Sequence, residues 1–412
     1  MKLRQNVLVA AVLWGALMAC WGGFMIHLAG LFETAIATTA LSCWGIGATA
    51  APLVVRFCAA RRALGFVGLA GALGLLGAYR SASNVEATAL PLYAALLVVG
   101  TSIMTAISLI NARIVKTCAA NETGFVYAFG CACWIAAQAS SPISSSCFLV
   151  SAGGACVLSL LGFAFSAAPE SEKNAASPAD DNSPNALSNA SPNASPNAST
   201  SDARALNVRA FAAFLVVCFL VNCVNTSYFF SVFTPFVQSG FDAAANVLGA
   251  AHQGSEFVTV ILLGALLAKK PSWTRRLFVV GVALTAARYG LYRVAGETGN
   301  EGLLLATSCG HGASYALLTS LVPTLCAAVL LKGANARTTA RGMSAVAAAA
   351  MAAPSIVAPQ CARLVAQTTD GWAAFWSVSA LVLAVLTVVA ALLLPRFETQ
   401  VQEQAQENAD AA

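Results

Sequence analysis

One acidic residue, Glu256, lies in the middle of a long apolar stretch of this 412-residue chain. His252 and Gln253 precede it by four and three residues, which places the three side chains on one face of a helix. Burial disfavours the charged form of a carboxyl group, so a carboxyl in an apolar surrounding can exchange a proton near neutral pH. The spacing therefore predicts proton exchange at Glu256 with His252 beside it. The alternative for His252 is a role in helix packing.

A basic residue, Arg288, stands at a matching depth in the next apolar stretch. Glu256 lies 13 residues before Lys269, and Arg288 lies 12 residues after Arg276. As helix, both distances correspond to roughly 18–20 Å from the same basic loop. Ionisable groups inside apolar spans are costly, so each is a functional candidate. An ion pair between Glu256 and Arg288 can serve either proton coupling or a static structural role.

Amides and aromatic rings elsewhere in the second half of the chain suit a polar, ring-bearing solute. Asn222 and Asn225 are one helical turn apart, and so are His311 and Tyr315. The alternative is that these side chains only join helices through hydrogen bonds. The chain has no Gly-rich phosphate loop, no nucleophile elbow and no metal-ligand spacing. We therefore expect neither an enzyme nor a bound metal or cofactor.

Composition indicates where these residues lie. The chain is 58% hydrophobic and 9% charged, whereas soluble proteins are about 25% charged. Apolar runs of about 20 residues recur, which is long enough for a helix to cross a bilayer. A membrane barrel would alternate polar and apolar residues instead. The sequence therefore predicts an all-α polytopic membrane protein. Its net charge of +5 is spread over short loops and forms no basic patch, so we expect no nucleic-acid partner.

We predict about twelve membrane-spanning helices arranged as two bundles of six. The predicted spans are residues 7–30, 34–56, 63–79, 88–110, 123–141, 146–167, 208–233, 243–268, 277–294, 302–329, 342–366 and 372–394. Between the halves, residues 168–207 are rich in Ser, Asn, Pro and Ala and predict a disordered linker. The predicted domains are thus an N-terminal bundle (1–167), this linker, a C-terminal bundle (208–395) and a short tail (396–412).

The distribution of lysine and arginine among the loops predicts the orientation of the protein in the membrane. They cluster in the loops on one side of the predicted spans, while the loops on the other side hold little beyond Arg80. The positive-inside rule then places both termini and the linker in the cytoplasm, in a multi-pass protein of the inner cell membrane. Asn-Ala-Arg follows the fourth span of each half, at residues 111–113 and 335–337. Such duplication is typical of secondary transporters.

Four segments of the second half carry a family resemblance. They are Gln253-Gly254-Ser255-Glu256, Ala287-Arg288-Tyr289-Gly290-Leu291-Tyr292, His311-Gly312-Ala313-Ser314-Tyr315 and Ala340-Arg341-Gly342-Met343. With its hydropathy, the chain resembles the major facilitator superfamily over nearly its whole length. Within that superfamily it is most similar to the branch of lactose permease, the phenylpropionate transporters and the nucleoside:proton symporters. The resemblance implies secondary active transport by alternating access.

The resemblance also implies site residues. Nucleoside symporters contact substrate through paired amides on the seventh span, a Gln and a Glu on the eighth, and a Tyr and an aromatic residue on the tenth. The matching positions here are Asn222, Asn225, Gln253, Glu256, His311 and Tyr315. Tyr127, at the position of the branch's fifth-span arginine, is a further candidate for substrate contact. Arg288 and His252 join Glu256 as candidates for proton coupling.

We therefore expect a monomer in the lipid bilayer that carries a small solute together with protons. The expected solute classes are nucleosides, sugars and aromatic acids. The alternatives are a proton-independent carrier or exporter, and a membrane sensor built on a transporter-like scaffold.

Overall fold

The computed structural model describes the chain in eleven stretches. These are residues 4–25, 27–32, 34–57, 62–83, 89–141, 144–166, 198–228, 233–242, 245–330, 336–367 and 371–394. The helices of the first half are α1 (Gln5–Met25), α2 (Leu28–Leu31), α3 (Thr34–Thr49), α4 (Ala51–Phe57), α5 (Ala63–Ala82), α6 (Leu90–Thr117), α7 (Ala120–Ser140) and α8 (Cys147–Ser166). Those of the second half are α9 (Ala198–Ser227), α10 (Phe233–Gly240), α11 (Ala245–Lys269), α12 (Thr274–Thr298), α13 (Glu301–Leu330), α14 (Ala336–Ala347), α15 (Pro354–Ala366) and α16 (Gly371–Leu393).

The helices account for all twelve predicted spans, and two short helices are additional: α2 lies at the end of the first span, and α10 lies between the seventh and the eighth. Two spans are interrupted: α3 and α4 form one, and α14 and α15 form another around a π-helical turn at Ala348–Ala352. Proline lacks a backbone N–H, so Pro354 cannot continue the hydrogen-bond ladder across this break. Nine spans in the described part of the chain are long and apolar enough to cross a membrane by composition alone.

The predicted linker is described only at its end. Up to residue 197 it lies outside the described residues, and residues 198–207 form the beginning of α9. The predicted tail at 396–412 also lies outside them.

Each half of the chain has its own hydrophobic core. The first is built around residues such as Leu13, Trp44 and Phe148, and the second around Phe278 and Trp376. Their outer surfaces carry large apolar side chains: Leu160 is 70% exposed, Leu381 66% and Leu392 77%. Lipid accommodates such a surface, whereas water would drive it to aggregate.

The two halves approach closely at several places, among them the contacts of α7 with α11, of α6 with α14 and of α3 with α15. Where α7 meets α11, a Cβ atom added to Gly124 would lie 2.8 Å from the carbonyl oxygen of Val260. Where α3 meets α15, the hydroxyl of Ser42 donates a hydrogen bond of 2.9 Å to the carbonyl oxygen of Ile356. Small side chains at such contacts allow helix backbones to come together. A central cavity lies between the two halves.

Candidate functional site

The cavity is lined by helices of both halves. It encloses about 160 Å³, with walls from α1, α3, α6 and α7 on one side and from α9, α11, α13, α14 and α15 on the other. At roughly 15 Å³ for each water-sized group, it has room for about ten such groups. That is the scale of one small organic solute.

The wall from the second half is polar. Each of its three main helices contributes a pair of side chains separated by one turn, so that both members face the cavity. These side chains are Asn222 and Asn225 from α9, Gln253 and Glu256 from α11, and His311 and Tyr315 from α13. Every substrate-contact candidate from this half therefore lies at the cavity.

Tyr127 lines the cavity from the opposite half. Its hydroxyl donates a hydrogen bond of 2.9 Å to Oδ1 of Asn111, which also lines the cavity. The phenol ring packs edge-on against Trp14, with ring centroids 5.1 Å apart. A hydrogen bond and a ring contact thus hold Tyr127 in place at the cavity.

Glu256 is the sole carboxylate among the described residues that line the cavity, and none of those residues is lysine or arginine. The carboxyl group lies beside Gln253 of its own helix and beside Cys131 of α7, both of which also line the cavity. Because Cys131 belongs to the first half of the chain, this contact joins the two halves at the cavity. A change in the charge of Glu256 therefore acts directly on the interface between them.

Arg288 lies behind the polar wall, and only 3% of its surface is exposed. Its guanidinium donates one hydrogen bond to Oδ1 of Asn225, at 3.1 Å, and another to Nδ1 of His311. Its Cζ atom lies 5.1 Å from the ring centroid of Tyr228 and 4.9 Å from that of Tyr289, within the range of cation–π attraction. The aromatic rings and the two acceptors stabilise the buried cation and fix the cavity side chains that it contacts.

The ion pair considered between Glu256 and Arg288 is not formed in this conformation. Within the described part of the chain, no carboxylate lies in salt-bridge range of Arg288. His252 is also buried behind the wall, with Nε2 3.3 Å from the hydroxyl of Tyr228 and its ring centroid 4.6 Å from that of His311. Neither Arg288 nor His252 lines the cavity, so both reach a solute only through the side chains in front of them.

The wall from the first half is aromatic, and sequence reasoning missed it. Four tryptophans line the cavity there, each at most 9% exposed. They are Trp14, Trp21, Trp44 and Trp134. The available signal was a repeated spacing of four and then three residues, in Trp14–Met18–Trp21 and in Tyr127–Cys131–Trp134.

The described residues hold no cluster of three or more His, Cys, Asp or Glu side chains arranged to bind a metal ion.

A family model described as the nucleoside H⁺ symporter matches residues 1–400. No curated protein matches the chain.

Three solved structures are similar to the chain. A point mutant of the nucleoside transporter NupG has a TM-score of 0.65 and 16% identity, covering 95% of this chain and 100% of that one. The proton:xylose symporter XylE, a major facilitator superfamily protein, has a TM-score of 0.64 and 12% identity, covering 95% of each chain. The human organic anion transporter MFSD10 has a TM-score of 0.61 and 13% identity, covering 94% of this chain and 100% of that one. The likeness confirms the predicted all-helical transporter fold.

Proposed function

Because the chain belongs to the nucleoside H⁺ symporter family, we propose that its central cavity binds a neutral nucleoside and carries it across the membrane with a proton. The family membership confirms the predicted superfamily branch, and it confirms that the protein is a transporter and not an enzyme. The protein is thus a secondary transporter of a small organic solute. The choice of a nucleoside over a sugar or an aromatic acid is the proposal.

The charge of the cavity favours a neutral solute over an anionic aromatic acid. Its described lining offers one carboxylate, Glu256, and no lysine or arginine. An anionic aromatic acid would enter without a counter-charge, and a buried unpaired charge is costly. The amides of Asn222, Asn225 and Gln253 instead match the hydroxyl groups and the amide-like edge of a nucleoside, since each amide both donates and accepts hydrogen bonds.

We assign the transported proton to Glu256. Its contact with Cys131 crosses between the halves, so gain or loss of the carboxylate charge alters the free energy of bringing the halves together. Arg288 and His252 serve as positioning residues that act through Asn225 and His311. On the positive-inside pattern, we place both termini in the cytoplasm and the protein, as a monomer, in the inner membrane.

The test is uptake by proteoliposomes that contain the purified full-length protein. Uridine, xylose and 4-hydroxybenzoate are supplied with and without an inward proton gradient. We expect gradient-driven accumulation of uridine, which a protonophore abolishes, and no accumulation of 4-hydroxybenzoate. Gradient-independent uridine equilibration would favour the proton-independent carrier, and accumulation of xylose or of the acid alone would refute the nucleoside assignment.

A further inference from the structure

Two neighbouring helices, α1 and α7, present side chains to the cavity with the same spacing. On each helix the first and third side chains are aromatic and the second is a sulfur-containing residue, at positions i, i+4 and i+7. These side chains are Trp14, Met18 and Trp21 on α1 and Tyr127, Cys131 and Trp134 on α7. The spacing keeps all three members of a set on one helix face.

The aromatic side chains of the two helices pair across the interface. Trp14 and Tyr127 form a first rung, with ring centroids 5.1 Å apart and planes at 77°. Trp21 and Trp134 form a second rung, with centroids 5.5 Å apart and planes at 75°. Seven residues of helix separate the rungs by roughly 10 Å. Edge-to-face pairs of this kind are favourable and well defined in geometry.

Glycines hold both rungs in place. A Cβ atom added to Gly22 of α1 would lie 2.8 Å from the indole of Trp134, and one added to Gly130 of α7 would overlap the indole of Trp14. Each indole therefore lies directly on the backbone of the opposite helix, where any larger residue would displace it. The rungs are a built feature of the α1–α7 contact.

Met18 and Cys131 lie between the rungs along their helices and line the same cavity, and we call this part of the wall the slot. Glu256 lines the cavity beside Cys131. The indole N–H groups of Trp21 and Trp134 are themselves buried, so it is the rings of these tryptophans that can meet a ligand in the cavity.

We propose that this slot is the subsite for the nucleobase. The planar ring enters between the two rungs, over Met18 and Cys131, while the sugar lies against the amides of the second half. A base offers a flat π-face to the aromatic side chains. The inference rests on the proposed function and deepens it, because it assigns the recognition of the base to the first half of the chain.

The test is equilibrium binding of labelled uridine to the purified full-length protein. Trp21→Leu and Trp134→Leu each remove one aromatic face, and we expect each to weaken uridine binding by about ten-fold or more. Trp21→Phe keeps a ring and should keep most of the affinity. The matched control is Trp273→Leu, which truncates an indole outside the cavity that is 40% exposed just before α12.

A second variant guards against misfolding of the leucine variants. Met18→Phe fills the slot and should exclude uridine while the protein keeps a cooperative thermal transition. Uridine affinity that is unchanged in the Trp21, Trp134 and Met18 variants would overturn the subsite. The same would hold if Trp273→Leu weakened binding as much as the cavity variants do.

The wild-type protein separates the subsite from the proposed transport function. Binding that depends on the rungs, in a protein that does not accumulate uridine under a proton gradient, would refute symport and leave the subsite standing. A wild-type protein that does not bind uridine at all would overturn both.

Discussion

Glu256→Gln is the most direct test of proton coupling. Glutamine has nearly the same shape as glutamate and keeps an oxygen and a donor within reach of Gln253 and Cys131. The substitution therefore removes the titrating charge with little change in packing. It also removes the sole carboxylate from the described lining of the cavity.

The expected effect follows from the free energy of one proton. Movement of one proton down a gradient of one pH unit releases about 1.4 kcal/mol, which supports about a ten-fold accumulation of solute when one proton accompanies each solute. Without a titrating group in the cavity, this coupling is lost and the accumulation ratio should fall to about one. Exchange of solute between compartments at equal pH should continue, because the amides and aromatic rings of the cavity are unchanged.

The assay measures labelled uridine inside proteoliposomes at steady state, with and without the gradient. Glu122→Gln is the matched control, because Glu122 lies in the first turn of α7, outside the cavity, where it accepts a hydrogen bond of 2.9 Å from Nε of Arg4. It should accumulate uridine as the wild type does. If Glu256→Gln also accumulates uridine about ten-fold, Glu256 does not couple transport to protons.

Three further substitutions test the surroundings of the cavity. Gly312→Ala would overlap the carbonyl oxygen of His252, so we expect it to destabilise the protein by about 1–3 kcal/mol, measured as a lower thermal transition. Gly124→Leu would hold α7 away from Val260, so a cysteine placed in the cavity should react faster with a reagent applied on the basic-loop side. Arg288→Lys keeps the charge but cannot donate in a fixed fork to both acceptors, so we expect a raised KM for uridine, and an unchanged KM would contradict the positioning role.

The polar wall of the cavity could be predicted from the sequence because an ionisable or amide side chain in an apolar span is costly and therefore conspicuous. Glu256 stands out by that criterion alone. The partner of Arg288 could not be predicted in the same way. Helix rise gives its depth in the membrane, but depth says nothing about rotation around the helix axis. That rotation directs Arg288 to Asn225 and His311 in this conformation.

The aromatic wall was harder to predict for a different physical reason. Tryptophan in a span is compatible with lipid contact, with helix packing and with the membrane interface. Its presence in a span is therefore not energetically unfavourable and does not indicate a binding site. The two matching sets of side chains come together only because α1 packs against α7. The two helices are far apart in the sequence, so the sequence alone does not reveal this contact. Gly130 and Gly22, which pack against Trp14 and Trp134, are evident in the sequence as small residues. Each tryptophan lies on the opposite helix, so the sequence does not show which residue packs on which glycine.

The division of the cavity into two walls explains how a solute can drive a conformational change. A ligand shifts an equilibrium only by the difference in its affinity for the two states. A nucleoside held by the aromatic wall of the first half and the amides of the second binds most tightly when the halves are closed around it. Glu256 lies at the same interface, so the proton that we propose to place on it would act on the same closing movement as the solute. Coupling then needs no further structural element, because binding of the proton or of the solute favours the closed state to which the other also binds.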